Sequence, residues 1–286
     1  MELLEGVSGL LGYEDGVSYH PARWMSTTRR LTVQRDCSAA DTSPPSPVLG
    51  GEGSGVRGLL LRTWSAGNEP KLNAYLEDYS FLLDGLVSLY EATFEPRWIE
   101  SALELADAMI DQFWDAKDGG FVYTGRSHET LIARGKYPHD NAIPSGNSMA
   151  VTALLRLVKL TGRTDLQGKA EATLRLYRGL LGAHPLAAGQ MLLALDFYLG
   201  PVQEIAIVGN PAADDTRRVL RLLAATYQPH RVMAMKSPHD DDKTESLIPL
   251  LAGKSSQGRV AVYLCQNFTC QAPLIGVEAV EAALKT

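Results

Sequence analysis

The sequence predicts a mainly α-helical fold of stacked helical hairpins, with a small α/β unit at its C-terminal end. Three observations carry this. Apolar residues recur at three- and four-residue steps from Leu76 to Leu199, compact strand-like runs replace them after Pro201, and two polar segments interrupt the apolar stripes at helix starts. Those segments are Tyr75-Leu-Glu-Asp-Tyr-Ser-Phe81 and Asp140-Asn-Ala-Ile-Pro-Ser-Gly-Asn-Ser148. Each puts carboxylates or amides at the mouth of a helical bundle, where ligands usually enter.

Element by element, residues 1–58 hold no persistent period, and the stretch from Ser43 to Gly55 has the Pro/Gly/Ser composition of a linker, so an irregular segment is expected. Leu76, Tyr79, Leu83, Leu86 and Tyr90 mark a first helix, which Pro96 ends. A second runs over 97–114 on the stripe Ile99, Leu103, Ala106, Ile110 and Phe113, and stops at Asp118-Gly-Gly120. Residues 121–124 suit a short extended stretch, and the segment up to Pro144 a long loop crossing the top of the helices. A third helix begins near Ser145 and ends at Gly162, a fourth covers about 165–181 and a fifth about 186–199. Residues 204–208, 231–235 and 259–264 read as strands and 214–226 as a helix. The expected organisation is therefore 1–58 linker-like, 59–200 helical hairpins, and 201–286 α/β.

The 286 residues are 45% hydrophobic, enough for one large core or two modest ones. Acidic side chains outnumber basic ones 33 to 27 with no clustered Lys/Arg stripe, which argues against a nucleic-acid partner. No apolar run reaches the length of a membrane span, and Met1 to Gly12 lacks the basic start of a secretory signal, so no membrane partner and a cytoplasmic address are expected. Cys265 and Cys270 enclose four residues, a gap that fits neither a two-residue redox spacing nor half a zinc site. Reduced thiols near the end of a buried strand are expected, with a disulfide or bound metal as the alternatives. Gly209-Asn-Pro is a single-glycine turn rather than a phosphate cradle, and the segment His239 to Asp242 reads as a solvated turn. No cofactor and no metal are therefore assigned.

Asp78 shares a helical row with Leu82, Gly85 and Leu89, and the glycine would let a neighbour approach closely. Its carboxylate suits either the helix dipole or a ligand. Glu77, about 100° round the helix, is expected to face water or a cap. Asn147 repeats the arrangement ahead of Val151, Leu154 and Val158, and Ser145 after Pro144 is a natural N-cap. Asp140, on the loop beside His139, is either a general acid or base or an acceptor that anchors the loop. Asp78 and Asp140 are the candidate catalytic pair. Tyr75, Tyr79, Tyr123, Ser145 and Asn147 are the candidate substrate contacts, the tyrosines because aromatic faces stack on sugar rings.

These segments, together with Phe113-Trp-Asp, Gly119-Gly-Phe121 and Ala261-Val-Tyr-Leu-Cys-Gln-Asn-Phe-Thr-Cys270, resemble the spermatogenesis-associated protein 20 family, whose bacterial members are described as thioredoxin-domain-containing proteins. The resemblance runs in family order from about Leu59 to Lys285. It implies a six-hairpin (α/α) barrel similar to N-acylglucosamine 2-epimerases and six-hairpin glycosidases, here only partial, followed by a small α/β tail. It also implies carbohydrate-related acid/base chemistry, with a non-catalytic scaffold or a protein- or sugar-binding module as the rival. No Cys-x-x-Cys segment is present, and the helices are fewer than a complete barrel needs, so the resemblance points to absent N-terminal domains or to self-association.

Overall fold

The computed structural model describes residues 59–63, 65, 69–129, 131–238, 242–256 and 258–285. The linker-like segment 1–58, and residues 239–241 of the expected solvated turn, lie outside them. The chain enters through an antiparallel ribbon of β1 (Leu61–Thr63) and β2 (Lys71–Asn73), which the helical period gave no sign of.

The described helices follow the apolar period. α1 (Leu76–Thr93) buries Leu76, Tyr79, Leu83, Leu86 and Tyr90, the expected stripe, and ends on Phe94 in the left-handed conformation. α2 (Arg97–Phe113) returns antiparallel on Ile99, Ala102, Ala106, Met109 and Phe113. α3 (Gly146–Thr161) is capped by Ser145, whose side chain accepts from the Ser148 amide, and stops at Gly162, at φ 68°. α4 is Thr164–Ala183. The fifth segment breaks in two, a 3₁₀ turn at Pro185–Ala188 and then α5 (Gly189–Leu199), because the preceding loop grips the junction. Asp140 donates its amide to Ala187 O at 2.8 Å and accepts from the Gln190 amide at 2.8 Å.

α1 and α3 run side by side in the same direction. A Cβ added to Gly146 would come within 2.8 Å of Leu76, while farther along Arg156 of α3 reaches Asp84, Ser88 and Glu91 of α1. α3 packs against α1 on one side and α5 on the other and is buried over nearly its whole circumference, as an apolar-all-round helix should be. α1 and α5 flank it, with α2 and α4 behind. This is a mainly α arrangement joined to a small sheet.

The sheet holds β3 (Gln203–Val208), β4 (Arg231–Lys236), β5 (Ala261–Gln266), β6 (Thr269–Cys270) and β7 (Leu274–Ile275), with α6 (Asp214–Ala225) between β3 and β4. Its order is β4-β3-β5-β6, β3 and β4 being parallel and β5 antiparallel to β3, while β7 pairs with the start of β5. Alternation divides its residues between two cores. Ala206, Val232, Ala234 and Cys265 join the helices, whereas Ile205, Ile207, Met235 and Val262 pack under α6 and the closing helix α8 (Gly276–Ala283). A short helix α7 (Asp242–Leu247) lies between β4 and β5. Gly209 sits at the end of β3, where a Cβ would meet Thr216 Oγ1 at 2.7 Å, so its lack of a side chain lets α6 begin close to the strand. Half-buried Glu91 of α1 ties the two parts together by accepting from the Met233 amide at 2.9 Å.

One expectation is overturned here. Cys265 and Cys270 are not reduced thiols but a disulfide. They stand directly opposite one another on β5 and β6, joined by the two-residue turn Asn267-Phe268 with φ of 49° and 59°. Positive φ at both central residues is the hairpin turn whose twist matches the strands. A five-residue separation therefore becomes a cross-strand pair, which spacing alone could not show.

Candidate functional site

The starts of α1, α3 and α5 meet at one end of the helical layer. Tyr75, the residue before α1, stacks on Tyr123 with ring centres 4.8 Å apart and lies 4.8 Å from the His128 ring. Tyr137 meets Tyr123 edge-on at 5.4 Å, and the Arg62 guanidinium sits 5.1 Å over Tyr75. Glu77 lies next to this group, close enough that its charge adds to the rise that burial produces in the Tyr123 phenol pKa, while Arg62 opposes it. Among the described residues the Glu77 carboxylate has no hydrogen-bond partner, and Tyr137 is 60% exposed.

Asp78 is otherwise engaged. Its Oδ2 accepts from the Tyr75 amide at 2.9 Å, satisfying one of the free N–H groups of the first turn, and lies 3.8 Å from Arg62 Nε. Tyr79 points into the core beside Phe113, where its hydroxyl accepts from the Leu60 amide at 2.8 Å and burial raises its pKa. Gly85, about two helical turns farther along the same row, faces open space among the described residues instead of a close neighbour.

Asp140 uses both oxygens to hold helix starts. Oδ1 accepts from the Ser145 amide at 2.8 Å and the Ser148 hydroxyl at 3.0 Å, and Oδ2 from the Gln190 amide of α5. Asn147 is fully buried and pairs with the backbone of Phe121, donating from Nδ2 to its carbonyl at 2.8 Å and accepting its amide on Oδ1 at 2.9 Å. Residues 125–129 and 131–144 form a loop without helix or strand, as expected. Lys136 bonds Asp115 at 2.8 Å and Gly119 O at 2.6 Å, and this hydrogen bond, with the Lys117 amide, holds the Asp115 carboxyl down at about 2.

The structure thus brings Tyr75, Tyr123, Asp78, Asp140, Ser145 and Asn147 to one end of the helices and sends Tyr79 inward. Arg62 and His128 stand at this end without having been singled out from the sequence, and Glu77 was expected there to face water or a cap. Glu77 was the most findable: a residue 100° from Asp78 in the first turn points toward the start of the next parallel helix, and Gly146 there is the signal of close approach, 3.3 Å from Glu77 Cγ to an added Cβ.

No family model matches the chain. Its segment of 226 residues, 76% of the chain, is 33% identical to rat spermatogenesis-associated protein 20 and 30% identical to the human protein of that name. The matched segment is homologous to spermatogenesis-associated protein 20. A Caenorhabditis elegans protein of uncharacterised function is 25% identical over 218 residues, 75% of the chain. The chain spans about three tenths of the length of the curated relatives it matches, 29% in each case. Among the described residues no helix is long and apolar enough to cross a membrane.

Proposed function

We propose that this chain is a carbohydrate-recognising part of a spermatogenesis-associated protein 20-like protein, with a sugar seated where α1, α3 and α5 begin. The observation that carries this reading is the stacked Tyr75–Tyr123 pair with exposed Tyr137 at its edge, flanked by a cation, Arg62, and an uncommitted carboxylate, Glu77. Aromatic faces pack against the C–H faces of a pyranose, and the two charges supply the polar contacts that orient its hydroxyls. Asp78 and Asp140 act in this reading as positioning carboxylates, since their oxygens already hold helix-end N–H groups. In this reading acid/base chemistry of the epimerase or glycosidase kind falls first to Glu77. The parallel α1, α3 and α5 backed by α2 and α4 are consistent with part of a six-hairpin barrel, and apolar side chains exposed on α1 and α5 support self-association. The rival reading, a non-catalytic protein-binding scaffold, has no observation of its own in its favour. Calorimetry against a panel of neutral and N-acetylated sugars tests the proposal. Binding that Tyr123→Ala weakens at least tenfold supports it; no heat with any sugar, or affinity indifferent to Tyr123→Ala and Tyr137→Ala, overturns it.

A further inference from the structure

The Cys265–Cys270 disulfide forms part of the wall of a cleft of about 640 Å³, a volume typical of small-molecule sites. The cleft lies between the β5–β6 hairpin and the segment that leads into β4. Gln203, Gln228, Gln266 and Gln271 line it together with His230, and among the described residues its lining contains no carboxylate, lysine or arginine. Among the described residues the buried Gln228 side-chain oxygen has no hydrogen-bond partner.

The disulfide adds little to the hairpin it closes. Cross-links stabilise least when the loop is short, and here other contacts already fix the turn. Glu204, fully buried on β3, accepts from the Phe268 amide at 2.7 Å, and Lys159 donates to Asn267 Oδ1 at 3.0 Å. The same contacts keep the two thiols facing each other after reduction, because Cys265 and Cys270 are register partners with Cα atoms 3.9 Å apart. Cys265 is buried on the sheet, while Cys270 is partly exposed at its edge.

We propose that this cleft is a thiol–disulfide exchange site for the cysteine of an uncharged peptide segment. The lining is rich in glutamine amides, and its one histidine, His230, is held by Asp196 at 2.6 Å; such a wall suits an uncharged peptide backbone, whose N–H and C=O groups pair with glutamine side chains. A peptide thiolate attacks Cys270 Sγ, forming a mixed disulfide. The Cys265–Cys270 bond breaks, its electron pair leaves on the Cys265 sulfur, and that sulfur takes up the proton the peptide thiol gave to water. A second peptide thiolate attacks the peptide sulfur of the mixed disulfide and releases Cys270. Two peptide thiols become one disulfide, and the cysteine pair gains two electrons and two protons. The same steps run backward restore the pair from a peptide disulfide.

The test uses the full oxidised chain and two probes of equal thiolate concentration, N-acetyl-Gly-Cys-Gly-amide and the charged tripeptide glutathione. The blocked peptide is expected to reduce the pair at least tenfold faster, with a rate that saturates and whose half-saturation rises several-fold in Gln228→Ala. Cys265→Ala in a Cys37→Ser background, since Cys37 is the chain's third cysteine, is treated with the oxidised peptide and is expected to trap one peptide per chain on Cys270, seen as a mass increase. Equal, non-saturating rates for both thiols overturn the proposal. So does trapping on Cys265 in Cys270→Ala as fast as on Cys270 in Cys265→Ala. Gln228→Ala lies outside the hairpin, so its result stands even if a cysteine variant unfolds.

Discussion

Asn147 shows why residue type matters at the helix-start mouth. Phe121 presents both its N–H and its C=O to one buried side chain, and the Asn147 amide meets them with an acceptor atom and a donor atom side by side. Asn147→Ala orphans two buried backbone groups and is expected to cost about 2 to 4 kcal/mol, read as a shift in urea midpoint. Asn147→Asp loses the donor and sets a carboxylate against a carbonyl, so it should be at least as damaging at neutral pH. A change below about 0.5 kcal/mol in either would mean the clamp is dispensable. Asp115 adds a pH signature. Its folded-state pKa is depressed to about 2, chiefly by the Lys136 hydrogen bond, so its contribution is fully present above the unfolded value of about 3.9 and is lost as pH falls from there toward about 2. Lys136→Met should therefore flatten the stability–pH curve between about pH 4 and 2, and parallel curves for the two proteins would rule this out. Asp78 and Asp140 were legible in the sequence as polar residues at helix starts. What they bond to was not, since Gln190 lies fifty residues beyond Asp140 and reaches it only through the packing of α5.

At the scale of elements, the long helices were readable because each spans several turns of a repeating apolar stripe, and their observed ends fall within a few residues of the Pro, Gly and Ser signals. The short pieces were not. β6 and β7 are two residues each, too short for any alternation, and the Asn267-Phe268 turn lacks the glycine that marks its type, so nothing local placed Cys270 opposite Cys265. Gly85 is a different case, since its spacing was readable but its surroundings were not. A glycine inside a helix, with nothing near its missing Cβ, costs helix stability without a packing reason. Gly85→Ala is expected to stabilise the chain by about 0.5 to 1 kcal/mol at unchanged m value. Destabilisation instead would show that another surface packs closely there. In the hairpin, Glu204→Gln keeps the acceptor for Phe268 but removes the charge that lies 3.3 Å from Lys159 Nζ.

For the whole molecule, the position of α3 between α1 and α5 decides what is left uncovered. α3 is saturated with neighbours, whereas each flanking helix has a packed side and a free one among the described residues. Phe81 is 36% exposed and Leu89 43% on α1, and Leu193 is 63% exposed and Leu199 44% on α5. Scattered apolar side chains are ordinary on a surface, but here they recur on both edges of one helical layer, where further parallel helices would extend it. Burying apolar area gains about 25 cal/mol per Å², against which the entropy cost of association must be set, so a few such side chains at two edges point to weak association at most. The 31.0 kDa chain is therefore expected to sediment with a mass that rises with concentration. Phe81→Glu together with Leu193→Glu should return it to a monomer with little change in melting temperature, because both positions are already solvent-exposed. A monomer that melts cooperatively at every concentration tested would show that these edges stay free in solution, and the double variant would then behave like the parent.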